Sequence, residues 1–179
     1  MTGESTYTLE NLMEFYRIAA TRMGARSRII RPLYFLAGTV LVLIGLFQGL
    51  GVLQGDGDLV AIALAAISLY LGAQLLHIGW RFYNGFAARA LKSIPENAQH
   101  CYFSFEEEQL VISNRLKSVS YPYEQFGVIY ETEQRFHFYI STYNGYILEK
   151  SGIHDGTAEE LRSFLNSRRE DPVQQISLS

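Results

Sequence analysis

The chain has 179 residues, 48% of them apolar, and a net charge of −3. With 15 Lys and Arg against 18 Asp and Glu, it lacks the clustered cations that nucleic acid demands. Its one cysteine, Cys101, excludes an internal disulfide and a cysteine-based metal cluster.

In chain order, Ser5-Thr6-Tyr7-Thr8 predicts a short strand, and Thr8 suits the N-cap of a helix with Glu10 in its first turn. Leu9, Leu12, Met13, Tyr16, Ala19, Ala20 and Met23 recur at helical spacing and form one stripe, which Gly24 ends or bends. Two environments suit the stripe: the protein's own domain, or a membrane surface beside the arginines that follow.

Two runs without Asp, Glu, Lys or Arg come next, Pro32–Leu53 and Leu59–Trp80. At the helical rise each spans about 33 Å, enough for a hydrocarbon core of about 30 Å. The first run starts too far into the chain and is too long for a signal peptide. Arg17, Arg22, Arg26, Arg28 and Arg31 precede the pair, Arg81, Arg89 and Lys92 follow it, and the joining turn holds only Asp56 and Asp58. That bias predicts a transmembrane hairpin with both termini cytoplasmic, with Tyr34, Trp80 and Tyr83 as interfacial anchors. Gly45-x-x-x-Gly49 permits close helix packing, within the hairpin or against a second copy. His77, with Gln74 one turn before it, is expected to make an interhelical contact or reach interfacial water.

Helix is expected to continue to about Ser93, where Pro95 and Asn97 break it. Short apolar alternations then predict strands at 102–105, 110–113, 117–121, 128–132, 136–142 and 146–148. Asn144-Gly145 suits a type I′ turn between the last two, because both residues tolerate positive φ. Thr157-Ala158-Glu159-Glu160 is a capping box for a closing helix with Leu161, Phe164 and Leu165 on its apolar face. Arg162, Arg168 and Arg169 suit its C-terminal dipole.

Reactive residue types are scattered. His100, His137 and His154 lie far apart with no metal-ligand spacing, and Cys101 alternates with Phe103 and Phe105 as a buried small side chain would. Glu106-Glu107-Glu108 reads as a solvated turn. No phosphate loop or nucleophile motif occurs, so neither a cofactor nor catalytic residues are assigned. Of the tyrosines at 121, 123, 130, 139, 143 and 146, half or more are expected to be core or cross-strand partners. Tyr143, Tyr146 and Lys150 are the candidate interaction surface.

Several stretches resemble the bacterial YcxB-like family: Phe103-Ser104-Phe105 with Gln109-Leu110 and Ile112, then Tyr121-Pro122-Tyr123-Glu124-Gln125-Phe126. Ile129-Tyr130-Glu131-Thr132, Phe136-x-Phe138-Tyr139-Ile140 and Ile147-Leu148-Glu149-Lys150-Ser151-Gly152-Ile153 extend it, as does Tyr7-Thr8-Leu9-Glu10 near the start. Tyr123 stands where a Trp is common, and Glu149 where a Pro is. The resemblance implies a pleckstrin-homology-like bent sheet capped by the last helix, and it implies no activity.

The expected fold class is an α+β membrane protein: a two-helix transmembrane hairpin plus a cytoplasmic antiparallel β domain closed by a C-terminal helix. Residues 1–31 form a cytoplasmic strand and amphipathic helix, 32–94 the hairpin, 99–169 the β domain, and 170–179 a disordered tail. The expected function is a non-catalytic interaction or regulatory module of the bacterial inner membrane. Its expected partners are membrane lipid, an unidentified protein and a second copy, with no nucleic acid. An immunity protein against a toxin, or a subunit of a membrane enzyme or transporter, are the alternatives.

Overall fold

The computed structural model describes residues 1–23, 25–54, 58–80 and 82–177. Gly24, the centre of the Gly-Asp turn (55–57) and Arg81 lie outside the described residues, as do the side chains of Arg26, Arg28, Arg31, Trp80 and Tyr83. The chain forms two compact units, Ala20–Gly85 and a second assembled from Met1–Ala19 with Phe86–Ser179.

The first unit pairs helices α2 (Ala25–Leu53) and α3 (Leu59–Trp80). Helix α2 begins before the apolar run and continues through Pro32, which contributes no N–H to the ladder. Asp58 caps α3, its Oδ1 accepting the Ala61 N–H at 2.8 Å. Small residues bring the backbones together. A Cβ placed on Gly72 would sit 2.9 Å from the Gly38 carbonyl oxygen, and one on Gly45 2.7 Å from Leu69 Cγ. Gly49 faces open space, so the expected Gly45–Gly49 pair is divided: Gly45 packs inside the hairpin and Gly49 does not. Both helices are long and apolar enough to cross a membrane, and only 11% of each apolar window is buried.

The second unit is an antiparallel-rich β domain. One sheet has the order β4-β3-β2-β1-β8 and the other β7-β6-β5-β9. The strands are β1 (Thr2–Thr6), β2 (His100–Phe105), β3 (Gln109–Ser113), β4 (Ser118–Pro122), β5 (Val128–Glu131), β6 (Arg135–Ser141), β7 (Asn144–Glu149), β8 (Ile153–His154) and β9 (Gln174–Gln175). Period-two alternation turns Cys101, Phe103 and Phe105 of β2 and Leu110 and Ile112 of β3 into a core shared with Phe126, Ile129, Phe136 and Phe138. Helix α5 (Ala158–Ser167) closes that core with Leu161 and Leu165. Its capping box forms as the sequence predicts: Glu160 N donates to Thr157 Oγ1 at 3.2 Å, and Thr157 N to Glu160 Oε2 at 2.8 Å. Helix α4 (Phe82–Ser93) follows α3 in the chain.

Four features differ from the sequence-based expectations. The N-terminal segment does not stand apart, because β1 lies between β2 and β8, pairing Thr2 with Ser104 and Thr6 with His100. Helix α1 (Leu9–Ile18) packs on this domain through Leu12, Phe15 and Ile18, while Leu9 stays exposed. The buried face keeps Leu12, Ala19 and Ala20 of the expected stripe but adds Phe15 and Ile18, because β6 presents Tyr139 to Phe15, with ring centroids 4.2 Å apart.

The third difference is the β6–β7 turn. Ser141 pairs with Asn144, so Thr142 and Tyr143 make the turn and Asn144-Gly145 belongs to β7. Gly145 is needed for space rather than positive φ: a Cβ there would fall 2.0 Å from the Phe138 carbonyl oxygen, beside a register shift in β6. Fourth, the tail expected to be disordered adds β9 in parallel to β5 and buries Val173. Asn166 Oδ1 accepts the Val173 N–H at 2.8 Å, and the Ile176 N–H reaches the Glu131 carbonyl at 2.8 Å.

Candidate functional site

Several places in the β domain gather polar or accessible groups. The first is a cleft of about 600 Å³ beside α1, β5, β6 and β9, and it holds two carboxylates, the half-buried Glu14 and the buried Glu131. Strand β6 is covered on both faces. Phe136 and Phe138 enter the core, and Arg135, His137 and Tyr139 meet α1.

Glu14 on α1 accepts from His137 Nε2 at 2.9 Å, from Thr132 Oγ1 at 2.8 Å and from the Arg135 guanidinium. Arg135 also reaches Glu10 Oε1 at 2.9 Å and Glu149 Oε1 at 3.4 Å. Burial by itself would raise the Glu14 carboxyl; the hydrogen bonds from His137, Thr132 and Arg135 outweigh it and bring its pKa down to about 2. Burial pushes His137 below its usual value, against the pull of Glu14. His137 is therefore neutral near pH 7, with Nε2–H donating to Glu14 and Nδ1 buried without a partner among the described residues.

Glu131, only 3% exposed, is the second carboxylate. Lys150 Nζ lies 2.6 Å from its Oε1, and Arg162 grips both oxygens, with Nη2 2.8 Å from Oε1. Burial raises its pKa less than Arg162 and Lys150 lower it. The Gln175 amide oxygen, in the orientation that satisfies its neighbours, accepts from the same guanidinium at 2.8–3.2 Å. Arg162 therefore ties α5 to β5 and β9 instead of serving the α5 dipole. Arg169 likewise donates to the carbonyls of Phe126 at 2.6 Å and Tyr123 at 3.1 Å.

The second place is a hollow of about 510 Å³ lined by Tyr7, Ile94, Cys101, Leu116, Lys117 and Tyr146, among others. A smaller one of about 190 Å³ adjoins it at Tyr7, Ile94 and Gly145 and reaches Tyr16 and Tyr143. Burial raises the Cys101 thiol, which leaves it protonated and a poor nucleophile near neutral pH.

The candidate surface residues separate. Tyr143 is 54% exposed at the β6–β7 turn and packs beside Tyr16, with centroids 6.3 Å apart. Tyr146 is half-buried, its hydroxyl 3.0 Å from that of Tyr121, and Lys150 is spent on Glu131. Tyr123, Tyr130 and Tyr139 are core residues. His77 is exposed on α3. Among the described residues, no group of His, Cys, Asp or Glu is arranged to hold a metal ion.

Sequence reading missed the Glu14–His137–Arg135 cluster, in which Glu14 lies more than a hundred positions from the other two. The only local signal was Arg135 and His137 alternating with Phe136 and Phe138 on a strand. No curated protein and no solved structure matches the chain. Residues 105–165, from the end of β2 into α5, match the family model described as YcxB-like protein, the family that the motifs resemble; the likeness at Tyr7-Thr8-Leu9-Glu10 lies outside that match.

Proposed function

We propose that the chain is a bacterial inner-membrane protein whose β domain works in the cytoplasm as a non-catalytic interaction or regulatory module. In this reading α2 and α3 cross the bilayer, both termini are cytoplasmic, and the two sheets with α5 form a pleckstrin-homology-like domain. The exposed apolar faces of α2 and α3 support insertion, as does the placement of basic residues before and after them with none in the turn.

The observation that carries the non-catalytic reading is the state of the two carboxylates in the cleft. Glu14 and Glu131 are closed on Arg135, His137, Lys150 and Arg162, which leaves neither carboxylate free to act as a base. Such groups hold elements together instead of turning over a substrate. The candidate partners are an unidentified protein, membrane lipid and a second copy of the chain.

Chemical crosslinking in intact cells, followed by purification and mass spectrometry, tests the reading. One stoichiometric protein partner that is lost with Tyr143→Ala supports it. Recovery of no crosslinked protein from native membranes overturns it.

A further inference from the structure

The 510 Å³ hollow stands apart chemically from the rest of the β domain. Residues 99–179 carry twelve acidic side chains against seven basic ones, and two other clefts are rich in carboxylates, one of them lined by Glu106, Glu107, Glu108, Glu124 and Glu170. Among the described residues, no Asp or Glu lines this hollow, and its one charged lining residue is Lys117. Among the described residues, no ion pair involves Lys117.

The remaining wall is apolar or neutral. Ile94, Pro95, Ala98 and Leu116 supply hydrocarbon, and Leu116 keeps 57% of its surface exposed at the mouth. Tyr7 and Cys101 face it in their protonated forms, because burial raises both above their usual values. The volume falls in the range of about 300–1,000 Å³ typical of ligand pockets.

We propose that this hollow binds an anionic amphiphile, its hydrocarbon chain against Ile94, Pro95, Ala98 and Leu116 and its acid group at the Lys117 ammonium. Apolar burial supplies affinity, and the lysine in an otherwise acidic domain selects the sign of the head group. Two sources share this chemistry, a free single-chain acid and an anionic lipid of the bilayer.

Cys101, the only cysteine, lines the hollow and reports its occupancy. The full chain is placed in phosphatidylcholine nanodiscs, and the rate of Cys101 modification by methyl methanethiosulfonate is followed by mass spectrometry. Laurate is expected to slow modification, and dodecanol at equal concentration to slow it less. Lys117→Glu, a change at an exposed side chain, is expected to weaken the laurate effect about tenfold, as replacing an attraction with a repulsion should. Protection on exchanging the nanodisc lipid for phosphatidylglycerol without laurate assigns the source to the bilayer; protection by laurate alone assigns it to a free acid. The proposal is overturned if neither amphiphile protects Cys101, if Lys117→Glu is protected as well as the native chain, or if dodecanol matches laurate. None of these readouts depends on a protein partner.

Discussion

The helical pair and the β domain bury their apolar side chains in opposite ways. In α2 and α3 the close contacts are made by Gly38, Gly45 and Gly72, while Leu36, Leu43, Phe47 and Leu59 point outward. In the β domain Phe103, Phe126, Phe136 and Phe138 fill the interior, and the outside is charged. Hydrophobic burial holds the second unit together. The first has little core of its own and relies on backbone approach through small residues, the pattern that suits a surrounding of lipid, where apolar faces gain nothing by hiding.

Substitutions break this comparison in order of size. Phe15→Ala removes the ring that stacks on Tyr139 and seats α1 on β6, and it should cost about 3–5 kcal/mol, read as the largest fall in the denaturation midpoint of the β domain. Gly72→Leu places a side chain where a Cβ already falls 2.9 Å from the Gly38 carbonyl oxygen. It should cost about 1–3 kcal/mol of helix-pair stability, measured by protease resistance in detergent, while Gly49→Leu leaves resistance unchanged because nothing lies within 4 Å.

Acid should act on the β domain through Glu14, Glu131 and His137. The folded-state pKa values of Glu14 and Glu131 are lowered, so their contribution is present above the ordinary value near 4.5 and is lost as pH falls below it, for Glu14 down to about 2. His137 is also lowered, so the unfolded chain takes up its proton first, and stability begins to fall below about pH 6.5. A melting temperature that declines from pH 6.5 downward, with the lower-pH part flattened in Glu14→Gln, checks both signs. Thr157→Ala is the mildest change, about 1 kcal/mol, since it removes one cap bond at the exposed start of α5 and leaves the core intact. Thermal unfolding would read it as a small shift.

What was legible in the chain follows from the range of the interactions. Both caps, Thr8 with Asn11 and Thr157 with Glu160, close over three residues, so the starts of α1 and α5 can be read locally, although at the first only Thr8 and Glu10, and not Asn11, were read from the sequence. Strands β2 to β7 were readable for a similar reason: alternation marks a half-buried strand whatever it pairs with. The lack of charge in Pro32–Leu53 and Leu59–Trp80 settled the two long apolar helices by composition.

Only the tertiary structure decided how those pieces share a fold. It set β1 between β2 and β8, turned Phe15 and not Leu9 toward β6, and laid Gln174–Gln175 along β5. It also joined Glu14 to His137 across 123 positions and Glu131 to Arg162 across 31. These contacts have no fixed spacing along the chain. Each depends on which faces remain uncovered after the local elements have formed, and the removal of charge and hydrocarbon from water selects the partner at that stage. Gly145 shows the limit at a single residue, since its type suggested a turn and its place in β7 is fixed by a carbonyl on the neighbouring strand.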